Sequence, residues 1–63
     1  MSLELVLFYI AGGAAIFATA MAITRLNAAH ALLYLITSLL AVAVVLYLMG
    51  APFAAALEVI IYA

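Results

Sequence analysis

The sequence of 63 residues has no cysteine and very little charge, and each shortage excludes a class of protein. Without cysteine there is neither a disulfide framework nor thiolate metal ligation. The formal net charge of −1 leaves no basic patch, so nucleic acid is not expected as a partner. One histidine and two acidic residues, spread along the chain, are too few for a protein metal site. Serine–base pairs and glycine-rich phosphate loops are also missing, so no self-contained active site is expected.

Apolar residues dominate what is present. They make up 78% of the chain, whereas soluble domains are about 45–50% apolar. A chain this short cannot hide so much apolar surface in its own core, which excludes an independent soluble domain. Disordered chains are polar and rich in charge, so disorder is excluded as well. The composition therefore indicates an all-α membrane protein, or a part of one.

Three apolar runs divide the chain. Residues 5–24 and 28–49 are each long enough, as helices, to cross about 30 Å of hydrocarbon. An acidic start and a long first run argue against a secretory signal peptide. Asn27 is a good cap for the second helix, and a Gly-Ala-Pro turn precedes the third run. This third run, residues 52–63, is too short to cross. We therefore expect a longer protein, in preference to a re-entrant end, and a polytopic helical fold.

One basic residue, Arg25, sets the expected topology. It lies in the short loop between the first two runs, and such loops carry Lys and Arg on the cytoplasmic side of membranes. The sequence therefore predicts that this loop faces the cytoplasm and that the N-terminus faces outward. The apolar helices are expected to contact the lipid bilayer.

The first helix carries a line of small residues, Ala11, Ala15, Ala18 and Ala22, with spacings of four, three and four. Helices in lipid associate through close packing of small side chains. This line is typical of a surface on which another helix docks. An alanine-rich sequence can also produce such a line by chance.

Polar groups form a stripe along the second helix. His30, Tyr34 and Ser38 follow one another at intervals of four, with Thr37 adjacent and Ala41 continuing the line. Polar groups in a membrane turn toward protein or water. We favour hydrogen bonds between helices for the hydroxyls; one wall of a hydrated path is the functional alternative. His30 lies at the helix start, where a capping or lipid headgroup contact is the common role.

Glu58 is an acid within an otherwise apolar stretch of the third run. A charged side chain inside the hydrocarbon region costs a few kcal/mol. Insertion scales give about 2.5 to 3.5 kcal/mol at the centre of a membrane-spanning helix. Desolvation disfavours the charged form of a carboxyl group, so Glu58 is a candidate proton carrier. Ala51, Ala55 and Tyr62 share its helical face. A structural hydrogen bond to a neighbouring helix is the alternative role.

Three stretches of these residues also resemble a known family. They are NAAHALLYLI at residues 27–36, GAPF at 50–53 and ALEVIIYA at 56–63. Together they are similar to the start of NADH-quinone oxidoreductase subunit J, the bacterial counterpart of subunit 6 of mitochondrial complex I. The likeness extends over essentially the whole chain but over only the first part of a family member.

The resemblance implies a membrane subunit of respiratory complex I in the bacterial inner membrane, in contact with other membrane subunits. It implies that this chain binds no cofactor, and that NADH, FMN, iron–sulfur clusters and quinone belong to other subunits. Glu58 matches the family's acid in the third helix. Tyr62 and Ala63 match a π-bulge next to the hydrated axis that couples quinone reduction to proton translocation.

The sequence departs from the family pattern at two places. Ala28 replaces the proline that commonly follows Asn27, which weakens the stop signal between the first two helices. The chain also ends at Ala63, before the rest of the third helix. Two alternatives to energy coupling stay open: a purely structural membrane subunit, and the rotor hairpin of an ATP synthase. An acid in a third segment argues against the rotor hairpin.

Overall fold

The protein is built from three α-helices joined by two short turns. In a computed structural model that describes residues 2–62, α1 spans Leu3–Thr24, α2 spans Ala28–Leu48 and α3 spans Pro52–Tyr62. No strand occurs in this described part of the chain. The all-α prediction is confirmed, and α1 and α2 are long and apolar enough to cross a membrane. With 22 and 21 residues they extend about 33 and 31 Å.

Local capping decides where the helices begin and end. The Ser2 hydroxyl accepts a hydrogen bond from the Leu5 amide at 3.2 Å, so α1 begins at Leu3, two residues before the expected start of the apolar run. Asn27 Oδ1 accepts bonds from the amides of Ala29 and His30 at 2.9 and 3.3 Å. Asn27 therefore caps α2 as predicted, and a proline is not needed at the next position.

The turn between α2 and α3 depends on Gly50. α2 ends at Leu48, one residue before the expected end, and Gly50 adopts a φ of +84°. This left-handed conformation suits glycine because it has no Cβ. Pro52 then occupies the first position of α3, where its missing amide hydrogen leaves no helical bond unmade. The chain thus reverses direction twice, and α2 runs antiparallel to both neighbours.

The helices form a layer that is one helix thick. α2 lies in the middle and contacts both α1 and α3, which do not contact each other within residues 2–62. The Cα atoms occupy about 38 × 26 × 11 Å. Both broad surfaces of the layer are therefore free to contact lipid or other polypeptides.

Small side chains hold the layer together. The buried apolar residues among those described are all alanines: Ala11, Ala15, Ala18, Ala43 and Ala55. Ala18 is the most enclosed, with 3% of its surface exposed. The docking surface predicted on α1 is confirmed for its first three alanines, while Ala22 is half-buried. Large apolar side chains point outward instead, which is how a helical layer packs in hydrocarbon.

Candidate functional site

Glu58 lies within α3, about one helical turn after Ala55, which is the buried residue of this helix. It is the seventh residue of a helix that begins at Pro52, so it lies about 9 Å along the helix axis from that end. The side chain is half-buried, and its Oε1 atom is enclosed with no hydrogen-bond partner among the residues described. A carboxyl oxygen in this condition is energetically unfavourable when charged, unless a further group supplies a donor.

The helical positions around Ala55 show which broad surface of the layer carries Glu58. Ala55 is buried against α2, and Val59 and Ile60 line an apolar groove with Leu40 and Val44 of α2. Successive residues turn by about 100° around a helix, which places Glu58 on the other side of Ala55 from Val59 and Ile60. Glu58 therefore faces the broad surface opposite the groove.

Tyr62 lies one helical turn after Glu58. The hydrogen bonds of the described residues include none between the two side chains, and Tyr62 is 65% exposed. α3 is a regular α-helix as far as Tyr62. The π-bulge expected at Tyr62 and Ala63 involves a residue outside the described ones, so it stays a prediction.

Ser38 and Thr37, in the polar stripe of α2, have different environments. Ser38 is buried at the middle of α2 and pairs with the hydroxyl of Thr19 on α1. The Thr19 hydroxyl donates to the Ala15 carbonyl at 2.7 Å, so its single hydrogen is used and Ser38 is the donor between the helices. Thr37 donates to the Leu33 carbonyl of its own helix at 3.0 Å. Neither hydroxyl lies near Glu58's surface of the layer.

The remaining members of the stripe line a polar cleft beside the first turn. Arg25, His30, Leu33, Tyr34 and Thr37 enclose about 300 Å³. The lining contains no residue of α3. The structure therefore brings Arg25 together with His30 and Tyr34 but keeps this group apart from Glu58.

The chemistry available within residues 2–62 is limited. No group of three His, Asp or Glu side chains comes together as metal ligands there. Glu58 supplies a carboxyl group within an apolar helix, and the hydroxyl pair can hold two helices together. Thr19 was not among the candidate residues, although it directly follows the buried Ala18. That adjacency to the small-residue surface was the available signal.

The hydroxyl pair gives a measurable coupling between α1 and α2. We expect Thr19→Val and Ser38→Ala, in a double-mutant cycle on the full-length protein, to couple by about 0.6 kcal/mol and at most about 1.7 kcal/mol. The reason is that each change removes the same bond. The measurement is the free energy of unfolding in mixed detergent micelles.

Thr37→Ala is the matched control, since this hydroxyl bonds its own helix. Combined with Thr19→Val, it should show no coupling. Equal coupling in the two cycles would mean that the hydroxyls of Thr19 and Ser38 are not paired.

A sequence profile and several known proteins that match this chain all belong to one family. The sequence profile described as NADH-ubiquinone/plastoquinone oxidoreductase chain 6 matches residues 18–63. NADH-quinone oxidoreductase subunit J of Pseudomonas aeruginosa is 57% identical over 56 residues, which are 89% of this chain and 34% of that protein. The subunit J of Escherichia coli (strain K12) is 59% identical over 56 residues, again 89% of this chain and 30% of that protein.

A more distant relative, subunit J of Buchnera aphidicola, is 50% identical over 56 residues, 89% of this chain and 33% of its own. The chain thus spans about a third of the length of these curated relatives. No solved structure gives a significant match. Since the profile match covers most of the chain, the protein belongs to the family of NADH-ubiquinone/plastoquinone oxidoreductase chain 6.

Proposed function

We propose that this chain helps to couple quinone reduction to proton translocation in the membrane arm of NADH:quinone oxidoreductase, with Glu58 as a proton-carrying group. The observation that supports this proposal is the enclosed, unpaired Oε1 atom of Glu58 on an otherwise apolar helix. An ionisable group within a membrane segment commonly belongs to a proton or ion path. The chain belongs to an NADH-ubiquinone/plastoquinone oxidoreductase family, and the sequence resemblance implies a proton path in particular.

The packing of α3 suits a helix that rearranges. α3 contacts α2 and no other helix in the described part of the chain, and Ala43 and Ala55 are the buried side chains at this contact. Because α3 has this single contact within residues 2–62, it can shift against α2 without separating from a second helix. In the proposed mechanism, movement of α3 changes the groups that surround Glu58. The change in surroundings alters the affinity of its carboxyl group for a proton. Tyr62, one turn on, lies along the same path.

The chemistry of electron transfer belongs to other subunits in this proposal. This chain acts as a non-catalytic subunit without a redox centre, and NADH, FMN, iron–sulfur clusters and quinone are bound elsewhere in the complex. Its partners are the other membrane subunits and the lipid around them. Family membership removes the rotor-hairpin alternative.

A structural role is the second candidate for the polar groups, and the Thr19–Ser38 bond favours it for the hydroxyl part of the stripe. A bond of this kind fixes the position of α1 on α2 without any titration. For Glu58 the same role would require a donor from another polypeptide. A purely structural Glu58 and a proton-carrying Glu58 differ in whether glutamine can replace it.

Glu58→Gln separates the two roles. Glutamine keeps the size and most of the hydrogen bonding but cannot carry a proton, so we expect a several-fold loss of proton translocation per NADH oxidised in the assembled complex. The measurement is acidification driven by NADH in membrane vesicles, normalised to the amount of complex.

Glu4→Gln is the matched control, because Glu4 is an exposed acid at the start of α1. It should leave translocation unchanged. A Glu58→Gln complex that turns over and translocates protons at the parent rate would leave packing as the whole role of this residue.

We further propose that the chain lies in the bacterial inner membrane with the Arg25 loop in the cytoplasm and the N-terminus in the periplasm. Arg25 is the single Lys or Arg of the chain, and basic residues of short loops face the cytoplasm. Leu26 in this loop is fully exposed, and the 63 residues contain no cysteine. Leu26→Cys should therefore react with an impermeant maleimide in inside-out vesicles.

Intact spheroplasts expose the periplasmic side of the membrane to the same impermeant reagent. Ser2→Cys, at the other end of α1, is the control and should react there instead. Reaction of Leu26→Cys in spheroplasts and not in inside-out vesicles would reverse the proposed orientation.

A further inference from the structure

Arg25 is a cation without an acid nearby. It follows the last residue of α1 and is exposed. Glu4 lies at the opposite end of α1, about 30 Å away along the helix. Glu58 lies on α3, which joins the far end of α2. The exposed guanidinium at the end of this membrane-spanning helix is therefore available to an anion that this segment does not supply.

The side chains beside Arg25 form a receptor for such an anion. The polar cleft of about 300 Å³ contains Arg25, His30 and Tyr34. A second cavity, of about 340 Å³, shares Arg25 and His30 and adds Thr24 and Asn27. Asn27 Oδ1 accepts the first amides of α2, while the Arg25 guanidinium and the His30 imidazole carry N–H donors that an anion can use. Arg25 offers a planar fork of donors that matches phosphate oxygens.

An apolar surface continues from this cleft along α2. His30, Leu33, Thr37, Leu40 and Val44 follow one another at spacings of three and four, so they form one line on the helix. The line leads into the apolar groove of about 620 Å³ between α2 and α3. From His30 to Val44 it extends about 21 Å. A polar, cationic end followed by an apolar groove matches a molecule with an anionic head and a long hydrocarbon chain.

We infer that this surface, which we call the Arg25 cleft with its α2 line, binds a phospholipid with an anionic headgroup. The headgroup phosphate contacts Arg25 and His30, and one acyl chain lies along Leu33, Leu40 and Val44. The position supports a lipid over a soluble anion, because the cleft lies where a spanning helix ends and lipid headgroups begin. Basic pockets between transmembrane helices bind acidic headgroups by this chemistry. The inference does not depend on the proton-carrying role of Glu58, which faces the other surface of the layer.

Photolabelling of the assembled complex tests the site. The complex is reconstituted in phosphatidylcholine vesicles that contain a small fraction of photoreactive phosphatidylglycerol, with photoreactive phosphatidylcholine in a parallel sample. We expect phosphatidylglycerol to label the peptide that contains residues 30–44 in preference to phosphatidylcholine. Arg25→Gln should reduce that labelling by about five-fold, the effect of one basic residue near a headgroup. Arg25→Lys, which keeps the charge, should retain most of it.

Each other result contradicts the proposal in a distinct way. Equal labelling by the two lipids in the parent complex would show that the headgroup charge is not recognised, and this comparison needs no variant to fold. Loss of labelling on addition of inorganic phosphate would indicate a site for a small anion. If Arg25→Gln releases another subunit while lipid labelling is unchanged, the partner of Arg25 is a protein carboxylate. NADH-driven turnover measured alongside confirms that the labelled complex is intact.

Discussion

Hydrocarbon gives helices no hydrophobic reason to associate, and the whole structure depends on how the chain meets that constraint. α1 and α3 approach α2 along lines of alanine, whose small side chains bring the helix backbones close together. Since α1 and α3 each contact α2 and not each other within residues 2–62, the three helices lie side by side as a layer and not as a bundle. Large apolar side chains are left on both broad surfaces, where lipid or neighbouring subunits cover them.

The same layer determines what each polar group can do. Ser38 lies at the contact between α1 and α2, so it finds Thr19 and its hydrogen-bonding capacity is used. Glu58 lies on α3 about one turn after the buried Ala55, and its Oε1 atom is enclosed without a donor among the residues described. Within residues 2–62, the Ser38 hydroxyl has a hydrogen-bond partner and the Glu58 Oε1 atom has none. That difference is why we propose a structural role for the first and proton chemistry for the second.

The sequence predicts the helices well because local signals determine them. Run length and hydropathy predict two spanning helices, Asn27 predicts the start of α2, and the alanine spacing predicts the contact surface of α1. The stripe on α2 was harder to interpret, because spacing along one helix does not show what lies opposite. The register of the hairpin between α1 and α2 brings Thr19 to Ser38, and a single sequence does not reveal that register. The separation of Glu58 from His30, in contrast, follows from the order of the helices, because α3 joins the end of α2 that is far from His30. The start of α1 differs from the prediction for a local reason. Ser2 caps the helix, so α1 begins at Leu3 and not at the start of the apolar run.

The central claim is that the Glu58 carboxyl group is sheltered from water and available to take up a proton. Chemical modification of the assembled complex by two carbodiimides tests this directly, since these reagents attack protonated carboxyl groups. The account predicts that the membrane-soluble reagent dicyclohexylcarbodiimide modifies the peptide carrying Glu58, while a water-soluble carbodiimide does not. Equal modification by both reagents, or modification by the water-soluble one alone, would place Glu58 in contact with bulk solvent and contradict the claim.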